Sequence, residues 1–247
     1  DDWCIAQLAK KLGRKEEYNF HLQRSFNYRN LFNAETGFFH PRDAKGEFIQ
    51  PFDYIFSGGI GARAYYDENN AWTYIWDVHH NIGDLVALFG SEERFVAQLD
   101  QLFVEDMKRS KWNYYAVHPD ATGNVGQYVM GNEPSFHIPF IYTYLGQPEK
   151  TEYWLKKICD EGFSWRDDGF PGDEDNGSTA AWYIFSCLGI YPITPGKPVY
   201  TNNKPMVDNI RILGKKVDFT KYGNMISYDE IMKQIEEYVM DVNLRSL

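Results

Sequence analysis

"GFPGDEDNGSTAAWYIFSCLGIYP", residues 169–192, sets Asp173, Glu174 and Asp175 on a turn of Pro171, Gly172 and Gly177, then runs into an aromatic, apolar stretch stopped by Gly189. Residues 178–188 have the length and apolar content of a helix, and a following glycine is a common C-terminal signal. Three adjacent acids raise the cost of ionising one another. A helix N-terminus offsets part of that cost, because its free N–H groups and dipole favour negative charge. Asp173 and Asp175 are therefore expected to stay ionised, as a general base must. The alternative is that Asp175 only caps the helix while Asp173 and Glu174 face solvent.

The same succession of polar turn and apolar helix recurs outward from this stretch. "DDWCIAQLAKKLG" at 1–13 predicts a helix closed at Gly13, and a second carries Tyr18, Leu22, Phe26 and Leu31 at helical spacing from Lys15 on. A loop rich in Pro and Gly follows to Tyr66. Residues 71–89 predict one long aromatic helix, and Ser91 opens another towards Phe103. Residues 112–131 are expected to be a polar loop, with helices over 135–145, 151–163 and 178–188. After Pro192 the chain is short-stranded and β-prone, and residues 228–242 predict a final amphipathic surface helix. The fold class is mainly α, with helical hairpins in a barrel or bundle at 1–195 and a small β-rich segment with the terminal helix at 196–247.

A formal net charge of -10 disfavours nucleic acid and anionic membrane as partners. Aromatic residues make up 17% of the chain, more than an ordinary core requires, and ring faces stack on the flat apolar faces of pyranoses. Bulky core filling explains the same composition equally well. Cys4, Cys159 and Cys187 lie in apolar helical patterns and are expected to be buried fillers, and no stretch reaches the length of a membrane span.

Two further loop-to-helix junctions concentrate polar residues: "YYDENNAWTYIW" at 65–76 and "HPDATGNVGQYVMGNEPSFH" at 118–137. Glu68 stands among Tyr65, Tyr66, Trp72 and Tyr74, surroundings that favour a protonated carboxyl and so a general acid. Capping of the next helix by Asp67, Glu68 or Asn69 is the alternative. Gln127, Asn132 and Glu133 offer the hard oxygens that Ca²⁺ prefers, although capping by Asn132 and Ser135 accounts for the same residues.

"ENNAW", "GQY" followed by "GNEPSFH", "PGDEDNG" leading into "AAWYIFSCLGIYP", and "RSFNYRNLFNAETGFF" at 24–39 together resemble the glycoside hydrolase family 92 α-mannosidases, over about residues 1–200. The resemblance implies the second half of an (α/α)₆ barrel, from a Ca²⁺-dependent, inverting, exo-acting enzyme that removes terminal mannose from glycans. It implies a partner N-terminal β-sandwich absent from this chain, which would then be a fragment, and a periplasmic or secreted location. By position, Glu68 matches the general acid, and Asp173 with Asp175 match the carboxylates that activate water. Inversion separates acid and base by roughly 6.5–9.5 Å. The calcium shell falls on Gln127, Asn132 and Glu133, and the sugar contacts on Trp72, Tyr74, His118 and Glu133. A non-catalytic glycan-binding fragment and a barrel hydrolase for another sugar are the alternatives. Asn69, Met130 and Phe136 depart from the residues common in the family.

Overall fold

The computed structural model describes residues 1–235. The chain divides into two compact units, one of Asp1–Ser135 with Pro171–Asp173, the other of Phe136–Phe170 with the residues from Glu174 on. The mainly α class holds in both.

In the first unit, α1 (Asp2–Lys11) and α2 (Lys15–Arg24) form a hairpin about Gly13, whose φ of +72° suits glycine. Asp2 ties the two helices, accepting from His21 Nδ1 at 2.7 Å and from Arg24 Nε at 3.3 Å. The two-residue strands β1 (Phe32–Asn33) and β2 (Phe38–Phe39) pair antiparallel, Phe32 opposite Phe39. Then come α3 (Ala71–Tyr74), α4 (Ile82–Phe89), α5 (Glu92–Leu102) and α6 (Lys111–Val117), followed by the hairpin of β3 (Asn124–Val125) and β4 (Tyr128–Val129). Three buried rings hold α4 and α5 together. Trp76 stacks on Phe89 at 6.3 Å, and Phe95 meets both edge-on at 5.2 Å. Gly90 ends α4 in the left-handed region, and the Ser91 hydroxyl then accepts from the Arg94 N–H to start α5.

Two expectations change here. The helix expected over 71–89 breaks between Tyr74 and Ile82, where Asp77, His79, His80 and Asn81 interrupt the apolar period and Asp77 pairs with His79 at 3.0 Å. The expected polar loop at 112–131 contains α6, capped by Ser110, and a hairpin that turns at Gly126. Gly126 lies so close to Phe103 that a Cβ there would sit 2.5 Å from its backbone carbon.

The second unit holds α7 (Ile141–Tyr144), α8 (Pro148–Gly162), α9 (Ser178–Leu188) and the strands β5 (Ile190–Tyr191), β6 (Val199–Asn202), β7 (Arg211–Ile212), β8 (Lys215–Lys216) and β9 (Met225–Ser227). β5, β6 and β9 form one antiparallel sheet, and β7 pairs with β8. Trp182 of α9 stacks on Phe163 at 5.9 Å and donates its indole N–H to the Phe136 carbonyl at 2.9 Å. A second cluster gathers Ile190, Ile210, Val217, Phe219, Ile226, Ile231 and Ile235.

A boundary at 195/196 is not where the chain divides. β5 before it pairs with β6 after it, Tyr191 stacks on Phe140 at 4.2 Å, and Asn203 donates to the Thr143 hydroxyl. Residues 228–235 are helical and bury Ile231 and Ile235, so this segment is core as well as surface. The rest of the expected terminal helix lies outside the described residues. Cys4 is exposed rather than a buried filler.

The turn after α2 is joined to α4 by Asp84, which accepts from the Tyr28 hydroxyl, from Arg29 Nη2 and from Arg29 Nε, the last at 2.9 Å. The Arg29 hydrogen bond holds its carboxyl below the usual carboxylate range against the opposing effect of burial. A depressed carboxylate contributes stability that is present above its unfolded pKa, about 3.9, and is lost as pH falls through the folded value. Urea unfolding as a function of pH therefore shows an acid limb in the wild type, and Asp84→Asn flattens that limb.

Candidate active site

Glu68 occupies an unusual backbone position. Its φ is +65°, and the Asn69 N–H donates to the Asp67 carbonyl at 2.8 Å, closing the rarer, strained form of the three-residue turn with Glu68 at its apex. The Tyr74 hydroxyl donates to the same Asp67 carbonyl from one turn into α3. Positive φ at a residue with a long side chain costs on the order of 1–3 kcal/mol and persists only where the surroundings impose it.

Those surroundings are a buried amide network. Asn70 is the N-cap of α3, its Oδ1 accepting from the Trp72 N–H at 3.0 Å, while its Nδ2 donates to Gln127 Oε1 at 3.1 Å. Gln127 Oε1 also accepts from the Tyr114 hydroxyl at 3.1 Å, and Gln127 Nε2 donates to the Asp106 carbonyl at 3.0 Å. The fully buried Gln127 thus fixes α3, α6 and the β3–β4 hairpin to one another.

Opposite Glu68 stands Asn132, whose Nδ2 donates to Glu68 Oε2 at 3.3 Å while its Oδ1 is buried with no hydrogen-bond partner. Asn132 follows Gly131, and Gly131 touches Gly172. A Cβ on Gly172 would lie 2.3 Å from the Gly131 oxygen, and one on Gly131 would lie 2.3 Å from the Thr122 hydroxyl. Gly123 approaches Pro171 in the same way. Asn132 and Asp173 are thus each the next residue after a contact glycine, in the same unit as Glu68. Asp173 is exposed there.

Asp175 belongs to the second unit, with a left-handed φ of +45°, and its backbone carbonyl accepts from the Ser178 N–H and hydroxyl. The acid that caps α9 is Glu174, whose two carboxylate oxygens accept from the Gly177 N–H at 2.6 Å and the Ala180 N–H at 3.0 Å. This corrects the expectation that the helix terminus stabilises the flanking aspartates. The middle acid occupies the terminus, and both flanking side chains remain exposed.

The remaining candidates separate by burial. Trp72 is 8% exposed and packs edge-on against Phe38 at 4.8 Å, a core position. His118 is fully buried, its Nε2 donating to the Ile55 carbonyl at 2.7 Å, and desolvation followed by the nearby Arg109 charge lowers its pKa. Tyr74 is half-buried, stacks on Tyr66 at 5.8 Å and lines a cavity of about 510 Å³ with Tyr28, Phe39, Tyr65, Tyr66 and Asp77. Desolvation and then the charges of Asp67, Glu68 and Asp77 raise the pKa of Tyr74, so its hydroxyl stays a donor. The hydroxyls of Tyr28, Tyr66 and Tyr74 all donate to protein groups, so the cavity offers these rings chiefly as faces.

The three expected calcium ligands do not fit equally. Gln127 Oε1 already accepts two hydrogen bonds, which leaves it without a lone pair directed at a cation. Asn132 Oδ1 fits, being a buried acceptor with no donor, and Glu133 is half-buried next to it in sequence. Among the described residues, no three His, Cys, Asp or Glu side chains are grouped so as to hold a metal ion. The Glu68–Asn132 contact, the Gly131–Gly172 contact and the cap by Glu174 have no periodic signature in sequence. The paired "MGN" and "PGD", each a glycine before a polar residue, were the available signal.

A strained carboxyl at Glu68 and an exposed carboxylate at Asp173 lie in the same unit as a cavity lined by aromatic rings. The sequence profile described as the glycosyl hydrolase family 92 catalytic domain matches residues 1–244, and the chain belongs to that family. It is similar to the solved family GH92 α-mannosidase BT3965 of Bacteroides thetaiotaomicron, in complex with mannoimidazole, with a TM-score of 0.76 and 28% identity over 93% of this chain and 33% of that one. The inverting mannosidase BT2199 of the same organism matches with a TM-score of 0.71 and 32% identity, over 93% of this chain and 34% of that one. An uncharacterised secreted glycosidase of Arthroderma benhamiae is 29% identical over 86% of this chain and 27% of its own length. The chain thus spans about a third or less of the relatives it matches.

Gln127→Leu removes the groups that pair Asn70, Tyr114 and the Asp106 carbonyl. Each buried polar group left without a partner costs about 1–3 kcal/mol, so chemical denaturation shows a loss of at least that size, with or without calcium. Glu174→Ala costs about 1 kcal/mol as a lost helix cap, and Asp175→Ala leaves the same denaturation midpoint nearly unchanged.

Proposed function

We propose that the protein is an inverting, exo-acting α-mannosidase that removes terminal mannose from glycans, with Glu68 as general acid and Asp173 as the base that activates water. The observation carrying this reading is that Asn132 and Asp173 each follow one of two glycines in contact, and that the Asn132 amide donates to the carboxyl of a backbone-strained Glu68. Similarity to two solved mannosidases, one of them inverting, supports the substrate class and the stereochemistry.

Glu68 gives its proton to the departing glycosidic oxygen as the C1–O bond breaks. Asp173 takes a proton from a water molecule that attacks C1 from the opposite face, so the product is the β-anomer. The Asn132 amide fixes which oxygen of Glu68 points away, and the turn keeps the carboxyl from rotating out of reach. Tyr66 and Tyr74 offer ring faces to the sugar. Asn132 Oδ1 and Glu133 would hold Ca²⁺, which when bound supplies a charge that orients sugar hydroxyls. The glycan, the enzyme's remaining domain as partner, and export from the cytoplasm belong to the same proposal. The Arthroderma relative is described as secreted, and no helix among the described residues is long and apolar enough to cross a membrane.

In the complete enzyme, Glu68→Gln and Asp173→Asn each lower hydrolysis of an unactivated α-mannoside by about 10²–10⁴-fold with unchanged circular dichroism. NMR of the first turnovers shows β-mannose, EDTA suppresses release, and aryl α-glucoside is left intact. Wild-type turnover by Glu68→Gln, or α-mannose as the first product, overturns the assignment.

A further inference from the structure

The second unit holds a cavity of about 390 Å³ that has no part in the proposed chemistry. Pro148 and Glu152 of α8 line it, with Asn202 at the end of β6, Asn203 and Lys204 just after it, and the turn of Tyr222, Gly223 and Asn224. That volume falls within the range of small-ligand clefts, about 300–1,000 Å³. Asn202 and Asn203 are 6% and 5% exposed, and both amides are fixed in place. Asn202 Nδ2 donates to the Phe219 and Gly223 carbonyls, each at 2.9 Å, and Asn203 Nδ2 donates to the Thr143 hydroxyl. Thr143 is buried and does not line the cavity, so the planar Asn203 amide turns its oxygen to the other side. The Oδ1 atoms of both asparagines are buried with no hydrogen-bond partner among the described residues, a state that folded proteins seldom keep.

The charges on the lining select against ions of either sign. The half-buried Glu152 carboxylate accepts from the Lys204 N–H at 3.1 Å, and with the amide oxygens it repels an anion. The Lys204 ammonium, on the same cavity, repels a metal ion and offsets the Glu152 charge. A neutral ligand rich in hydroxyls meets both conditions, donating to the Asn202, Asn203 and Glu152 oxygens and accepting from Lys204 and the Asn224 amide. Pro148 and Tyr222, both half-buried, add apolar surface of the kind that the C–H face of a pyranose covers. We infer that this cavity is a second saccharide-binding site, which takes a neutral sugar unit and performs no chemistry on it. Glu68 and Asp173 belong to the first unit, so the site needs neither of them. Only the choice of mannose as its sugar rests on the proposed function.

The test titrates the full chain carrying Glu68→Gln with methyl α-mannoside and, separately, with methyl α-glucoside, following the assigned Asn202 and Asn203 side-chain amides by NMR. The expected result is saturable shifts of both amide signals with the mannoside. Asn203→Leu removes one of the waiting oxygens. A Cβ on Gly223 would meet no atom within 4 Å, so Gly223→Phe sets a ring on the cavity lining without disturbing the fold. Each variant weakens binding by about tenfold or more, with unchanged circular dichroism for Gly223→Phe. Shifts with the glucoside alone keep the saccharide site and count against mannose in the proposed function. Amide signals that neither glycoside moves, or a Gly223→Phe protein that binds as tightly as its parent, overturn the inference.

Discussion

The contact between Gly131 and Gly172 is the constraint on which the site depends. A methyl group on Gly172 would overlap the Gly131 backbone and one on Gly131 would overlap the Thr122 hydroxyl, and Gly172 also needs a φ of +67°. Glycine costs conformational entropy wherever it is used. Here it lets the segment 171–173 leave the sequence neighbourhood of α9 and dock beside Thr122, Gly123 and Gly131 in the first unit. Asp173 and Asn132 are each the next residue after a contact glycine, so their separation is governed by main chain rather than by flexible side chains.

Crowding three acids on the same turn becomes intelligible once their partners are separated. Glu174 puts both oxygens on free N–H groups at the start of α9, where negative charge is favoured. A carboxylate bound in this way is a poor base and a good anchor. Asp173 and Asp175, on either side, are exposed, and the left-handed backbone at Asp175 and Asn176 precedes the entry to α9 at Gly177.

Helices with strong periodicity and explicit caps were legible in sequence: α1, α5, α8 and α9 begin and end close to their signals. What failed was any inference that needed a partner distant in sequence. Residues 71–89 look helical throughout because Trp76, Val78 and Phe89 are all apolar, yet the interruption at 77–81 is set by polar side chains that take other partners. Gln127 and Asn132 are chemically alike and close in sequence, and pattern alone assigned both to a metal. Only three-dimensional neighbours distinguish them, since the amide of Gln127 is saturated by Asn70, Tyr114 and Asp106 while Asn132 keeps an acceptor unpaired. The resemblance puts sugar contacts on Trp72 and His118, and in the fold both are buried side chains of the first unit.

Strain at Glu68 connects the amide network to the chemistry. A glutamate at positive φ reverts to a relaxed conformation unless several independent bonds oppose it, and here they come from both sides: Tyr74 and Asn69 hold the Asp67 carbonyl, while Asn70 is fixed through Gln127. The network is buried, so water does not compete for its bonds and each is worth more than it would be at the surface. The structural role of Gln127 is therefore indirect but strong, because releasing Asn70 frees the start of α3, lets the turn relax, and swings the Glu68 carboxyl away from Asn132. The direction of the Glu68 carboxyl is set by the strained turn and the bonds that maintain it.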